Sequence, residues 1–178
     1  MLDREQIKAV FEQQFGQTHN VLLSGGAEEP LYLPSHPDQP HNLLVYTRDY
    51  PASALHEIAH WCLASVEQLT LKDWGHWYTP DGRSAEQQRT FQSAEARVQA
   101  IEWALSLAAG RPFRESSDNL SGELIDSAEF KDQIYQRALH FCEKGLPERA
   151  GQLFDAFTKV RGINLVLSAA LFQRQALD

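Results

Sequence analysis

The sequence has few of the features on which disulfide-rich and membrane proteins depend. Only two of its 178 residues are cysteines, Cys62 and Cys142, and they are too far apart to form a CxxC pair. We therefore expect free thiols and no disulfide framework, which fits a reducing cytoplasm. No apolar run approaches the roughly 18 residues of a membrane span. Residues 1–16 combine charge with helical periodicity, unlike a signal peptide.

Positive charge is also scarce. The chain has 16 Lys and Arg residues against 24 Asp and Glu residues, which gives a formal net charge of -8 at pH 7. General nucleic-acid binding depends on neutralising phosphates with basic side chains, so this balance argues against a nucleic-acid partner. An acidic surface suits a cationic substrate, although it also simply keeps a protein soluble.

Hydrophobic periodicity is abundant. It predicts helices at 3–15, 53–68, 85–109, 126–143, 147–159 and 163–176, and strands at 19–23, 29–34 and 41–47. Ser24-Gly25-Gly26 is expected to form a turn, and Ser53 is expected to cap the helix that follows the last strand. The pattern predicts one α+β domain over residues 1–178, mostly helical with a small β-sheet in its N-terminal half.

The helix predicted at 53–68 carries the motif HEIAH. Its two histidines, His56 and His60, are four residues apart, so both rings lie on one helix face and can bind one metal ion. Glu57 points in a neighbouring direction, from which it can act as the catalytic general base on a metal-bound water. Two histidines can also lie on a helix surface without a metal. The amphipathic helix and the strand before it favour a metal site.

A third ligand is needed to complete such a site. The metzincin pattern requires glycine and histidine where this chain has Leu63 and Val66, so that ligand set is excluded. The remaining candidates are Glu86, Glu95 and Glu102 on the helix predicted at 85–109, with His76 as a weaker one. Glu95 and Glu102 both flank the apolar stripe of that helix, and periodicity does not choose between them.

Two histidines and one carboxylate leave coordination positions open for chemistry. With zinc and Glu57, the arrangement hydrolyses peptides. A zinc peptidase of the gluzincin kind would also use the strand at 41–47 as the edge that pairs with its substrate. With Fe(II), the same ligands form the facial triad of non-haem oxygenases. A third alternative is a non-catalytic binding module in which the metal helix only adds stability, and the ligand types leave all three open.

Four blocks of sequence, in order, carry a likeness to a known family. They are HEIAHWC, WGHWYTPDGR, AEARVQAIEWALSLAAGRPF and SSDNLSGE, within the stretch from Asn42 to Glu123. Together they resemble the bacterial elongation factor P hydroxylase family. The resemblance implies a cytoplasmic, zincin-like oxidoreductase of the monooxygenase type, with Fe(II) and O₂ as cofactors and zinc as the alternative metal. Its partner would be elongation factor P, whose β-lysylated lysine side chain is hydroxylated.

The resemblance also implies a metal site of two histidines and one carboxylate. His56 and His60 match the histidine ligands of the family, and Glu95 matches its carboxylate. Glu57 matches the acid of the motif, although its role in an oxygenase need not be that of a protease base. The chain departs from the family at Arg97-Val98, where relatives often have Lys-Pro, and this difference bears on helix shape rather than on metal binding.

The aromatic loop after the metal helix is expected to line the substrate cleft. Its aromatic side chains can pack along a lysine stem, and its Pro-Asp-Gly turn can brace the loop. The residues concerned are Trp74, His76, Trp77, Tyr78, Asp81 and Arg83. The alternative is that these side chains pack in the core or anchor the loop. The sequence assigns no electron donor and no site for 2-oxoglutarate.

Overall fold

The computed structural model describes residues 1–48, 50–75, 85–116 and 127–178. These residues form a mostly helical structure with one small β-sheet, which confirms the predicted α+β class. The α-helices are α1 (Arg4–Phe15), α2 (Pro51–Leu63), α3 (Ala85–Ala109), α4 (Ser127–Lys144) and α5 (Glu148–Val160). The strands are β1 (Val21–Ala27), β2 (Leu31–Leu33) and β3 (Asn42–Thr47). No helix among the described residues is long and apolar enough to cross a membrane.

The β-sheet has the strand order β1-β3-β2, so β3 is its central strand. β1 runs parallel to β3, and β2 runs antiparallel to it. The predicted turn at Ser24-Gly25-Gly26 is wrong, because β1 continues to Ala27 through a register shift at which Gly26 has a φ of 88°. Glycine tolerates this backbone conformation within a bulge. Since β3 is paired on both sides, the strand predicted at 41–47 is not the free edge that a peptidase would offer to its substrate.

α2 follows β3 closely and carries both histidines of the motif. It begins at Pro51, whose fixed φ and missing N–H suit the first helical turn. The prediction that Ser53 caps the helix is wrong. Ser53 lies inside the first turn, where its Oγ accepts a hydrogen bond from the backbone N–H of Thr47 at 3.1 Å. This bond joins the start of α2 to the end of β3, and α2 then ends at Leu63 rather than at residue 68.

α3 has the bounds that its periodicity predicts, and it packs against α2, α4 and α5. The apolar stripe is buried, as shown by Ile101 and Leu105, which have no exposed surface. Gly110 follows the helix with a φ of 73°, a conformation that favours glycine at a helix C-terminus. A side chain at Gly110 would also collide with the guanidinium of Arg161, whose Cζ lies 2.6 Å from the position of a Cβ atom.

Two arginines of the α5 region bind the C-terminal carbonyl groups of α2 and α3. Arg149, in α5, donates hydrogen bonds to the carbonyls of Cys62 and Ala64 and lies 4.6 Å from the centre of the Trp61 ring. Arg161, just after α5, donates to two carbonyls of α3, those of Leu107 and Ala108, at 3.0 and 2.9 Å. Positive groups at helix C-termini satisfy unpaired carbonyls and complement the helix dipole. The α5 region therefore holds the ends of both helices.

The chain after α5 does not form the helix predicted at 163–176. Residues 163–168 are irregular, and two short 3₁₀ helices follow, Ala169–Leu171 and Arg174–Leu177. Leu165 and Leu167 pack against the core, while Val166 between them is 67% exposed. Alternate residues thus face inward, as they do in extended chain, and this packing outweighs the helical spacing of the sequence.

Candidate metal centre

Two packed helices bring the predicted ligands together. α2 contributes His56 and His60, and α3 contributes Glu95, with the ligand atoms all within 4.8 Å of one another. The Nε2 atoms of the two histidines are 3.2 Å apart. Oε1 of Glu95 is 3.3 Å from Nε2 of His60, and its Oε2 is 3.9 Å from Nε2 of His56. No other group of three such side chains lies this close within the described residues.

The spacing and chemistry of these atoms fit a metal ion. Bonds of about 2.0–2.2 Å at angles of about 90–110° place neighbouring ligand atoms roughly 2.8–3.6 Å apart. The distances of 3.2 Å between the histidine Nε2 atoms and 3.3 Å from His60 to Oε1 of Glu95 lie in that interval. The 3.9 Å from Nε2 of His56 to the other oxygen of Glu95 is slightly longer. Imidazole nitrogen and carboxylate oxygen suit both zinc and Fe(II). The three side chains are between 13% and 21% exposed, so the group is partly accessible to solvent.

Glu102 lies behind the ligands, against the other nitrogen of one histidine. Its Oε2 is 2.8 Å from Nδ1 of His56, and its side chain is 8% exposed. An ionised carboxylate only accepts hydrogen bonds, so Nδ1–H donates to it. Periodicity does not choose between Glu95 and Glu102, and both of them point from α3 towards the histidines of α2. Glu95 lies among the ligand atoms, whereas Glu102 lies on the far side of the His56 ring.

The concentration of acidic groups changes the pKa values of the site. Burial lowers the pKa of His56, but the hydrogen bond and charge of Glu102, with the charges of Glu57 and Glu95, outweigh it and raise this pKa to about 10. Burial raises the pKa of Glu95, but its hydrogen bond with His60 and the charges of both histidines lower it overall. Burial also raises the pKa of Glu57, an effect that the histidine charges oppose only in part.

We expect metal affinity to rise with pH, because an ion at Nε2 of His56 must displace a proton. Release of one proton makes the apparent affinity rise about tenfold per pH unit below the folded-state pKa. The stability of the metal-free protein should instead fall as the pH rises. The folded-state pKa of His56 lies above its usual 6.5, so the stability it contributes is complete below pH 6.5 and is lost as the pH rises towards about 10.

Zinc dissociation constants, measured by competition with a chelator whose own pH dependence is known, would test this expectation at several values between about pH 6.5 and 8. Urea unfolding of the metal-free protein over a wider range, from about pH 6 to 10, would test the expected loss of stability with rising pH. A dissociation constant that does not change with pH would contradict the displacement of a proton from His56.

Only a small part of the predicted substrate loop lies within the described residues. Lys72–Gly75 form a 3₁₀ helix that includes the backbone of Trp74. The side chain of Trp74 lies outside the described part of the chain, as do His76, Trp77, Tyr78, Asp81, Arg83 and the side chain of Glu86. The roles of these residues stay predictions.

Gln99 is a site residue that the sequence analysis missed. It lies one turn after Glu95 on α3, is 1% exposed, and donates a hydrogen bond to the carbonyl of Ser116 at 2.7 Å. It also adds a hydrogen bond that helps to lower the pKa of Glu95, after the larger effects of burial and His60. Spacings of four and three residues relate Glu95, Gln99 and Glu102. This polar line along a largely buried helix was the available signal.

Comparison with known proteins agrees with the family that the sequence blocks resemble. A family model described as Elongation factor P hydroxylase matches residues 10–172. The chain is also 46% identical over 152 residues to a protein of Haemophilus influenzae named Elongation factor P lysine hydroxylase, with 85% of each chain covered. The matched range spans the three candidate ligands and Glu102. This protein therefore belongs to the elongation factor P hydroxylase family.

Proposed function

We propose that this protein is a metal-dependent monooxygenase that hydroxylates the β-lysylated lysine side chain of elongation factor P. The supporting observation is the convergence of His56, His60 and Glu95 on one point in a member of this family. Hydroxylation at an unactivated carbon cannot begin with removal of an acidic proton, so side chains that exchange protons are not sufficient. Bound Fe(II) would supply the redox chemistry with O₂ that this step needs, and zinc is the alternative ion.

The balance of the reaction defines what must be added to the enzyme. One oxygen atom of O₂ enters a carbon–hydrogen bond of the substrate, and the other leaves as water. This requires two electrons and two protons from outside the protein, so a two-electron reductant belongs in any assay. The net charge of -8 suits a substrate whose modified side chain is cationic.

The residues of the site have distinct parts in this proposal. His56, His60 and Glu95 hold the ion, and their partial exposure is compatible with access by the lysine side chain. Glu57 is the catalytic acid or base. Burial raises the pKa of Glu57, and the charges of the two nearby histidines lower it only in part. A raised pKa favours a carboxyl group that can both hold and release a proton.

Mass spectrometry of elongation factor P tests the proposal directly. The protein is incubated in air with Fe(II), a reductant and β-lysylated elongation factor P, and a gain of one oxygen atom is expected. His56→Ala should abolish this gain, whereas Glu143→Gln, which changes an exposed carboxylate on α4, should leave it intact. Unmodified elongation factor P in a parallel reaction tests whether the β-lysyl group is required.

Other results would support the two alternative functions. Peptide cleavage that zinc restores and Glu57→Gln abolishes would identify a peptidase. The central position of β3 does not favour that function. If neither oxygen transfer nor cleavage occurs, and His56→Ala only lowers the unfolding temperature, the protein is a metal-stabilised binding module.

A further inference from the structure

We infer that Glu102 is a positioning residue, which holds the ring of His56 in the tautomer and orientation that metal binding requires. The inference rests on the metal binding of the proposed function, but it concerns a residue outside the three ligands. Glu102 is not a member of the group whose ligand atoms lie within 4.8 Å of one another. Its contact is with the opposite edge of the imidazole.

The hydrogen bond to Glu102 determines which nitrogen of His56 is available. With the hydrogen on Nδ1 directed to Oε2 of Glu102 at 2.8 Å, the lone pair of the metal-binding tautomer is on Nε2. That nitrogen is the one 3.2 Å from Nε2 of His60 and 3.9 Å from Oε2 of Glu95. Rotation of the ring by half a turn would break the bond to Glu102 and remove Nε2 from the ligand group.

The two histidines differ in this respect. Among the described residues, no carboxylate oxygen lies within ion-pair distance of Nδ1 of His60, whereas His56 has Glu102 there. Glu102 also lies two helical turns after Glu95 on the same helix, so α3 supplies both a ligand and the support for a ligand from α2. Carboxylate partners of this kind fix the ring and strengthen it as a ligand, and their loss typically weakens metal binding about 10- to 100-fold.

Three substitutions of Glu102 separate a positioning role from a structural one. Glu102→Leu removes the acceptor and keeps the volume, and Glu102→Ala removes the acceptor without risk of added bulk. Glu102→Gln keeps an acceptor oxygen at the same position but removes the charge. Ser106→Ala is the matched control, because Ser106 is a polar residue on α3, 2% exposed and one turn beyond Glu102.

The measurements are the zinc dissociation constant at fixed pH, the visible spectrum of the Co(II)-loaded protein, and urea unfolding of the metal-free protein. Glu102→Leu and Glu102→Ala should weaken zinc binding about 10- to 100-fold and change the Co(II) spectrum. Glu102→Gln should keep much of the zinc affinity of the unchanged protein and a Co(II) spectrum close to its spectrum. Ser106→Ala should leave both metal measurements unchanged.

The opposite pattern would overturn the inference. If Glu102→Leu or Glu102→Ala binds zinc within twofold of the unchanged protein, with the same Co(II) spectrum, Glu102 serves only the stability of the core. Either variant suffices if the other does not fold. Metal binding without oxygen transfer in the unchanged protein would overturn the proposed function alone, and absence of metal binding would overturn both.

Discussion

Glu95→Gln is expected to weaken metal binding by more than about 100-fold and to abolish oxygen transfer to elongation factor P. The substitution keeps the shape of the side chain but replaces an anionic ligand with a neutral amide, beside two imidazole rings that are neutral when they bind metal. Loss of a partner behind a ligand already costs about 10- to 100-fold in affinity, and loss of a direct ligand should cost more. Zinc competition measures the affinity, and the mass of elongation factor P reports the activity.

Glu143→Gln makes the same chemical change at an exposed position of α4 and should alter neither measurement. Retention of affinity and activity within tenfold in Glu95→Gln would show that Glu95 is not a ligand. Glu102 would then be the carboxylate to test in its place, since it is the other acid among the described side chains of α3 that contacts a histidine of α2.

Trp61→Ala is expected to lower the free energy of unfolding by about 3–5 kcal/mol, the usual cost of deleting a large aromatic side chain from a core. Trp61 is 1% exposed, and its ring centre is 5.2 Å from that of Phe11 and 4.8 Å from that of Phe15. The substitution also removes the ring beneath the guanidinium of Arg149. Domains commonly have a total stability of about 5–15 kcal/mol, so this loss is a large fraction.

Urea unfolding of the metal-free protein, followed by circular dichroism, measures this loss without depending on tryptophan fluorescence. Val66→Ala is the comparison variant, because Val66 is 78% exposed and its truncation should change stability by less than about 0.5 kcal/mol. A loss of less than about 1 kcal/mol in Trp61→Ala would mean that the aromatic cluster relaxes around the cavity instead of depending on this ring.

Local spacing made part of this structure predictable. The bounds of α3 follow from its apolar stripe and from Gly110, because a long helix with one buried face and a clear stop has few alternatives. The turn expected at Ser24-Gly25-Gly26 and the helix expected at 163–176 are wrong for a different reason. Pairing with β3 and packing of alternate leucines are interactions between distant parts of the chain, which local patterns do not contain.

Local spacing likewise predicts only part of the candidate metal centre. The proximity of His56 and His60 follows from their spacing within one helix, so the sequence is sufficient to predict it. Glu95 and Glu102 lie on one face of α3, and the position along α3 at which it crosses α2 decides which of them lies among the ligand atoms. That position is set by packing between the helices. From the residues alone the two carboxylates are therefore equivalent, and at that stage only the family resemblance favours Glu95.

The two arginines near α5 stand late in the sequence, relative to the residues of the candidate metal centre. A nascent chain that has reached residue 110 contains both histidines, Glu95 and Glu102. It still lacks Arg149 and Arg161, which close the C-terminal ends of the helices that carry those residues. The groups that bind the C-terminal carbonyls of both helices are therefore synthesised after every side chain of the candidate metal centre.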